Sequence, residues 1–79
     1  MIDPRARERL RWRCRRGLLE LDLLFQRFMV REFDRLTDRD IEVLTRILDL
    51  ADNELLEYCY GRRVPDDADV KALVDRIAG

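Results

Sequence analysis

The chain has 79 residues, of which 47% are hydrophobic and 42% are charged, and its net charge at neutral pH is −1. This length gives one domain with no room for a second core, so we predict a single domain over residues 1–79. The sequence contains no His and no Ser, which excludes a Ser-His-Asp triad and every zinc site that uses a histidine.

The first sixteen residues are strongly basic. They carry seven Arg against two acids, whereas residues 17–79 carry nine Arg or Lys against fifteen acids. Asp3-Pro4 predicts the start of a first helix, because Asp can cap the first turn. Pro suits the first helical position, since a backbone N–H there would have no hydrogen-bond partner in the helix. The apolar positions of this helix are few: Ile2, Ala6, Leu10 and Cys14.

Trp12 does not share the apolar face of this helix. It lies about 160° around the helix axis from Leu10, on a face with Arg5, Glu8, Arg9 and Arg16. An exposed Trp flanked by Arg is typical of a binding hot spot. The alternative is that Trp12 covers the edge of the core while the arginines extend past it to water.

Gly17 separates the basic segment from an acidic, apolar one. We expect Gly17 to end the first helix, because Gly adopts the left-handed cap conformation without steric cost. A long second helix is predicted from Leu18 to Leu36, and its apolar face is typical of a core. That face comprises Leu21, Leu24, Phe25, Phe28, Met29, Phe33 and Leu36.

Three shorter helices are predicted after residue 36. Thr37 to Asp40 resembles a capping box that starts a third helix, which runs to about Leu50 and has the broad apolar face of a central helix. Asp52 is predicted to cap a fourth helix that Gly61 ends.

Asp66 or Asp67 is predicted to cap the fifth and last helix. No strand pattern appears in the sequence, so the predicted fold class is all-α, a small bundle of five short helices in a single domain. The residues expected to be mostly buried are Leu21, Phe25, Phe28, Leu44, Ile47, Leu48, Leu55 and Leu73.

Cys14 and Cys59 are predicted to be reduced thiols, because small disulfide-bonded domains normally carry several bridges and follow a signal peptide. Two cysteines so far apart, without other soft ligands, do not predict a metal site. The apolar runs are much shorter than the roughly 20 residues of a membrane span. We therefore expect a cytoplasmic protein that does not insert into a membrane.

The run from Arg16 to Glu20 has the pattern Arg-Gly-x-x-Glu. One interpretation is an ion pair of Arg16 with Glu20, worth about 0.2–0.5 kcal/mol on a continuous exposed helix. Gly17 argues against it, because Gly within a helix costs about 1 kcal/mol relative to Ala. The other interpretation is a break at Gly17 whose bare backbone lets a partner approach closely.

The residues around this pattern resemble a known family. Cys14-Arg15-Arg16-Gly17-x-x-Glu20-Leu21-Asp22 is similar to the signature of the small FAD assembly factors of succinate dehydrogenase, and the resemblance covers nearly the whole chain. It continues through Phe28, Glu32-Phe33-Asp34-x-Leu36, Ile47-Leu48, Asp52 with Glu54-Leu55-Leu56, and Pro65.

The resemblance implies a helper of flavin attachment that is not an enzyme. Such a factor promotes covalent attachment of FAD to a histidine of the flavoprotein subunit of succinate dehydrogenase, and in some bacteria of fumarate reductase. FAD is then the cofactor of this client, with none bound stably by the factor, which is expected to be a bacterial cytoplasmic monomer. The resemblance also implies that Arg16, Gly17 and Glu20 dock on the client, with Trp12, Arg15 and Asp22 in support.

Two features depart from the family pattern. Tyr58 stands where relatives often have Trp, which is expected to alter packing in the fourth helix. The Arg62-Arg63 pair is more basic than the family leads us to expect, and its role is open.

A nucleic-acid-binding module is the alternative from a different functional class. Seven arginines with Trp12 among them suit contacts to phosphates and bases. The acidic remainder of the chain and a sequence pI of about 5.4 argue against it, since dedicated binders usually exceed a pI of about 9. No specific nucleic-acid partner is therefore expected.

Overall fold

A computed structural model describes residues 4–79. The helices are α1 (Pro4–Arg13), α2 (Leu19–Glu32), α3 (Asp38–Leu48), α4 (Asp52–Cys59) and α5 (Ala68–Ala78), with one 3₁₀ turn at Phe33–Arg35. No strand occurs in the described part of the chain, and the prediction of an all-α bundle of five helices is confirmed. The predicted cap at Asp3 and the apolar position at Ile2 lie outside the described residues.

The second helix is shorter than predicted. The prediction of one helix to Leu36 is wrong, because α2 ends at Glu32 and the chain tightens into the 3₁₀ turn. Such turns are common at helix ends, and this one brings the chain to the extended conformation of Thr37, which caps α3. Phe33 and Leu36 are buried on either side of the bend, as the apolar pattern predicts.

Two of the predicted N-terminal helix caps are present, and Gly61 follows the end of α4 at positive φ, as predicted. The side chain of Thr37 accepts a hydrogen bond from the Asp40 backbone N–H (3.0 Å), and the Asp40 carboxylate accepts one from the Thr37 N–H (3.1 Å). Of the two candidates for α5, Asp67 is the cap, and its carboxylate accepts from the N–H groups of Asp69 and Val70. These hydrogen bonds lower the pKa of Asp67.

The predicted cap at Asp52 is wrong. Ala51 occupies the N-cap position of α4, and Asp52 is the first helical residue. Its carboxylate is instead bound to the side chain of Arg16. The third helix also ends earlier than predicted, at Leu48 rather than about Leu50.

The core lies between α2, α3 and α5. All eight residues predicted to be buried are buried, and α3 contributes the largest group: Ile41, Val43, Leu44, Ile47 and Leu48. The expectation that α3 is the central helix therefore holds in the sense that α3 supplies the largest share of the core. The helix that packs against the most neighbours is α5, which contacts α2, α3 and α4.

The first helix contributes little to this core. Its buried residue is Leu10, followed by Cys14 just beyond the helix end. The guanidinium groups of Arg7 and Arg11 lie over the ring of Phe33, at 5.0 and 4.7 Å from its centroid. Cation–π contacts thus join two basic residues of α1 to the core edge.

No helix among residues 4–79 is both long enough and apolar enough to cross a membrane.

The burial of Leu44 gives a direct test of the core. Its side chain is fully buried, so Leu44→Ala should lower the free energy of unfolding by about 2–5 kcal/mol through lost burial and a residual cavity. Val64→Ala is the matched control, because Val64 is 66% exposed and should change stability by less than about 0.5 kcal/mol. Urea unfolding followed by circular dichroism measures both. Equal effects of the two substitutions would contradict this packing.

Candidate partner-binding site

The turn that contains Gly17 joins α1 to α2. Gly17 has φ of +80°, and a Cβ atom at this position would meet no atom within 4 Å beyond its chain neighbours. The positive φ favours Gly, since other residues are strained by about 1–2 kcal/mol there. Gly17 therefore presents bare backbone to solvent, and a Cβ atom there would lie in open space.

The side chain of Arg16 points the other way, into the fold. Its Nε donates to Asp52 Oδ1 (2.7 Å), Nη1 to the Leu48 carbonyl (2.6 Å) and Nη2 to the Leu50 carbonyl (2.5 Å). The side chain is only 14% exposed. All three guanidinium nitrogens are thus engaged at the junction of α3 and α4.

The electrostatics of this junction suit a cation. Leu48 is the last residue of α3, where carbonyl groups without helical partners carry partial negative charge. Asp52 adds a full negative charge at the start of α4. The planar fork of Arg serves both carbonyls and the carboxylate at once, which the single ammonium of Lys cannot match.

The main chain of Arg16 is held as well. Its backbone N–H donates to Asp22 Oδ1 at 2.7 Å, and Asp22 lies in the first turn of α2. The Gly17 turn is therefore fixed on one side to α2 and on the other side to the α3–α4 junction. We call the contacts of Arg16 with Asp22, Leu48, Leu50 and Asp52 the Arg16 latch.

The latch decides between the two interpretations of Arg-Gly-x-x-Glu. Arg16 does not continue a helix toward Glu20, because α1 ends at Arg13 and α2 begins at Leu19. The ion partner of Arg16 is Asp52, so the interpretation of a break between two helices is correct. The prediction that Gly17 ends the first helix is wrong, because α1 already ends at Arg13. All three nitrogens of the Arg16 guanidinium are bound within the chain, and the prediction that Arg16 docks on a client stays a prediction.

Glu20 is exposed at the start of α2 and contacts the end of α4. Its carboxylate accepts a hydrogen bond from the Tyr60 hydroxyl, and this bond raises the pKa of Tyr60. The guanidinium of Arg62 lies over the Tyr60 ring at 5.4 Å and also pairs with Glu57.

The second arginine of the basic pair after α4, Arg63, lies 5.6 Å from the ring centroid of Tyr58. Both members of the Arg62-Arg63 pair thus lie against tyrosine rings near the end of α4.

Trp12 and Arg15 form the outer edge of the site. Trp12 is 70% exposed, which favours the outer-face interpretation and contradicts the alternative in which it covers the core. The Arg15 guanidinium lies 5.7 Å from the Trp12 ring centroid. Of the six sequence-predicted residues, Trp12, Arg15, Gly17 and Glu20 are exposed, while Arg16 and Asp22 are partly buried and linked to each other.

Both cysteines are free thiols. Burial raises the pKa of Cys14 to about 11, against the opposing effect of the Arg16 and Arg13 charges, and burial also raises the pKa of Cys59. A raised pKa disfavours the thiolate that nucleophilic chemistry needs. Among the described residues no cluster of His, Cys, Asp or Glu is arranged to hold a metal ion.

Sequence reasoning missed two residues of this site. Asp52 lies 36 positions from Arg16 and Tyr60 lies 40 positions from Glu20. Local patterns do not report contacts at such separations. The available signal was indirect, since a break expected near Gly17 leaves the side chain of Arg16 without a helical face to fix its direction.

Comparison with known proteins agrees with the resemblance of the sequence. The pattern of the family described as flavinator of succinate dehydrogenase matches residues 8–79. This chain belongs to that family. The matched region includes the Gly17 turn and every partner of the Arg16 latch.

Individual relatives match over most of their length. The FAD assembly factor SdhE of Coxiella burnetii (strain RSA 493 / Nine Mile phase I) is 36% identical over 77 residues, which is 98% of this chain and 94% of that protein. The protein of the same name from Ralstonia nicotianae is 46% identical over 66 residues, covering 84% and 70%. The one from Legionella pneumophila (strain Paris) is 42% identical over 65 residues, covering 82% of each. No solved structure matches the chain.

The latch predicts unequal roles for two neighbouring arginines. Arg16→Ala should lower the free energy of unfolding by about 1–3 kcal/mol, because two carbonyls and Asp52 lose a charged donor. Arg13→Ala is the matched control, since Arg13 pairs with Asp49 at 2.5 Å but both side chains are well exposed. It should cost less than about 1 kcal/mol.

A double-mutant cycle with Asp52→Ala isolates the Arg16–Asp52 coupling, and one with Asp49→Ala isolates the Arg13 pair. Urea unfolding at low and high salt measures both. A coupling for Arg16 no larger than that for Arg13 would contradict the latch.

The thiol of Cys14 reports on the same segment. In a Cys59→Ala background, Cys14 should react with a maleimide at pH 8 at least about tenfold more slowly than Cys59 does in a Cys14→Ala background, because Cys14 is more deeply buried and its pKa is about 11. Arg16→Ala should accelerate the reaction of Cys14 by releasing the turn, because burial is the largest cause of the raised pKa and outweighs the lost Arg16 charge, which by itself lowers that pKa. Mass spectrometry over time measures both rates, and similar rates for the two cysteines would rule out this packing of Cys14.

Proposed function

We propose that this protein binds the flavoprotein subunit of succinate dehydrogenase and promotes covalent attachment of FAD to it. The observation that carries the proposal is the family match over residues 8–79, whose family description names succinate dehydrogenase. The printed names of the relatives, which call them FAD assembly factors, support it. The flavoprotein of fumarate reductase is the second client that we propose.

The proposed mode of action is binding, not catalysis by this chain. The sequence has no His or Ser, and burial disfavours the thiolates of both cysteines. A binding factor can still increase the yield of a reaction if it prefers the client conformation in which the client's histidine and flavin react. The change that it produces in the populations of the two client conformations is limited by its difference in affinity for them.

We assign the client contact to the exposed half of the site: Trp12, Arg15, Gly17 and Glu20. Gly17 admits a partner backbone at close range, and Glu20 is a carboxylate acceptor at the surface. Trp12 with Arg15 has the composition of a hot spot. Arg16 and Asp22 act as positioning residues in this proposal, since they hold the turn that presents Gly17.

We further propose that FAD stays with the client and that the factor acts as a monomer in the bacterial cytoplasm. The sequence has no Gly-rich phosphate-binding loop for a flavin nucleotide. Two free cysteines suit a reducing compartment, and the relatives are bacterial.

The contacts of α1 do not favour the nucleic-acid alternative. Arg7 and Arg11 lie over Phe33, Arg13 pairs with Asp49, and Arg16 is enclosed in the latch. These contacts compete with the phosphate contacts on which such binding depends. We therefore retain a single proposed function.

The decisive experiment separates the effect of a bulky side chain at position 17 from the effect of backbone strain there. Gly17→Ala and Gly61→Ala both place a Cβ at positive φ, +80° and +74°, with no atom in the way, so both should be destabilised by about 1–2 kcal/mol yet stay folded. Gly17→Arg adds a long side chain at the proposed contact. We expect it to lower client flavinylation at least tenfold, while the two Ala variants retain most of it.

The measurement is covalent flavin fluorescence of the client subunit in a denaturing gel, from cells that lack their own factor and express each variant. Glu20→Ala should also lower flavinylation. Arg16→Ala should do so too, and Asp52→Ala should reproduce its effect if Arg16 acts by positioning the turn. Wild-type flavinylation with Gly17→Arg and Glu20→Ala would contradict the site, and flavinylation that is independent of the factor would contradict the function.

A further inference from the structure

The second helix carries three exposed apolar residues on its outer face, and the exposed Gln26 lies between the second and the third of them. Leu19, Leu23 and Val30 are 71%, 51% and 84% exposed. At 100° per residue they fall within about 40° of one another around the helix, opposite the fully buried Leu21 and Phe28. A surface helix normally carries polar residues on this side. We call these three residues the outer strip.

The outer strip is continuous with the proposed client contact. Leu19 lies within the Arg-Gly-x-x-Glu run, two residues after Gly17. At the other end, Val30 borders a groove between α1 and α2 whose lining includes Arg11, Arg15 and Gln26. Trp12 lies beside Arg11 and Arg15 in the adjoining depression. A partner that covers Gly17 and Trp12 therefore lies next to both ends of the strip.

Isolated exposed apolar residues are ordinary on protein surfaces. Three such residues aligned on one face of a helix are different. Leu19, Leu23 and Val30 span 12 residues, about 16 Å, and form an apolar strip, interrupted at Gln26, of the kind that marks interaction surfaces. The same helix already supplies three fully buried or nearly buried residues to the core. Packing within the bundle therefore does not account for the outer strip.

A second copy of this chain is one conceivable occupant. Two antiparallel α2 helices would bring Glu20 of each copy near Arg27 and Arg31 of the other, which is favourable in charge. The area argues against it, because three side chains and their symmetry mates fall short of the roughly 1,000 Å² that a specific interface needs. A larger partner that covers the strip, the Gly17 turn and Trp12 together can reach that area.

We propose that the outer strip of Leu19, Leu23 and Val30 is the apolar part of the surface that binds the flavoprotein client. This inference rests on the proposed function and extends its contact from the Gly17 turn along the full length of α2. The client contributes an apolar surface at least 16 Å long beside the groups that meet Gly17 and Glu20. The polar turn then sets orientation, and the strip supplies much of the affinity.

The test uses charged substitutions that keep the helix. Leu23→Glu and Val30→Glu introduce a strong helix former at exposed positions of α2, so folding should persist. Val64→Glu is the matched control, since Val64 is 66% exposed in the loop before α5. Binding of each full-length variant to the purified flavoprotein subunit of succinate dehydrogenase is measured by titration calorimetry. We expect a Kd at least tenfold weaker for Leu23→Glu and for Val30→Glu, and no change for Val64→Glu.

Wild-type affinity for both strip variants, while Gly17→Arg abolishes binding, would overturn the inference and leave the proposed function intact. Absence of binding by the wild-type protein would overturn both. Sedimentation velocity tests the competing occupant: a wild-type dimer that Val30→Glu dissociates, with client binding unchanged, would assign the strip to self-association instead. If Leu23→Glu lowers the melting temperature, Val30→Glu decides, because its side chain is 84% exposed.

Discussion

One cation holds the proposed binding surface in place. The guanidinium of Arg16 joins the end of α3 and the start of α4, and its own backbone N–H is tied to α2. A charge that is 14% exposed is tolerated because each of its nitrogens has an acceptor. The first helix depends on such polar contacts more than the others do, since it buries little beyond Leu10. Without them, only Cys14 and the partly buried Leu18 among residues 14–18 would anchor this segment in the core.

The latch gives a physical reason for the spacing of Arg-Gly-x-x-Glu. The Arg must turn inward, so the next residue must reverse the chain at positive φ, which favours Gly. The two following residues bring the chain into the first turn of α2, where Glu20 faces outward and Asp22 can accept from the Arg16 N–H. A run that resembles a single surface motif thus divides into an inward part that builds the turn and an exposed part, in which Glu20 also accepts a hydrogen bond from Tyr60.

Short-range patterns predicted most of the fold, and long-range contacts explain what they missed. Apolar periodicity located Leu44, Ile47 and Leu48 in the core, and the capping box at Thr37 predicted the start of α3, because those signals lie within one helix. The end of α2 and the role of Asp52 depend on residues distant in sequence. A carboxylate at a helix start is equally suited to capping and to pairing with an arginine, and only the approach of Arg16 decides between them. The outer strip of α2, by contrast, could be read from its spacing, but a search for the core draws attention to the opposite face.

The arrangement also determines what a loss of function can reveal. The core comes mainly from α3, α5 and the inner face of α2, whereas the proposed contacts lie on the Gly17 turn and the outer face of α2. Substitutions at Glu20 or Val30 can therefore affect binding with little effect on stability. Arg16 is different, because its removal loosens the turn and leaves acceptors unpaired at the same junction. Substitution of Arg16 alone therefore does not show whether Arg16 contacts the client or only positions the Gly17 turn. Asp52 resolves the ambiguity, because it holds Arg16 from the far side of the turn and lies outside the surface that we assign to the client.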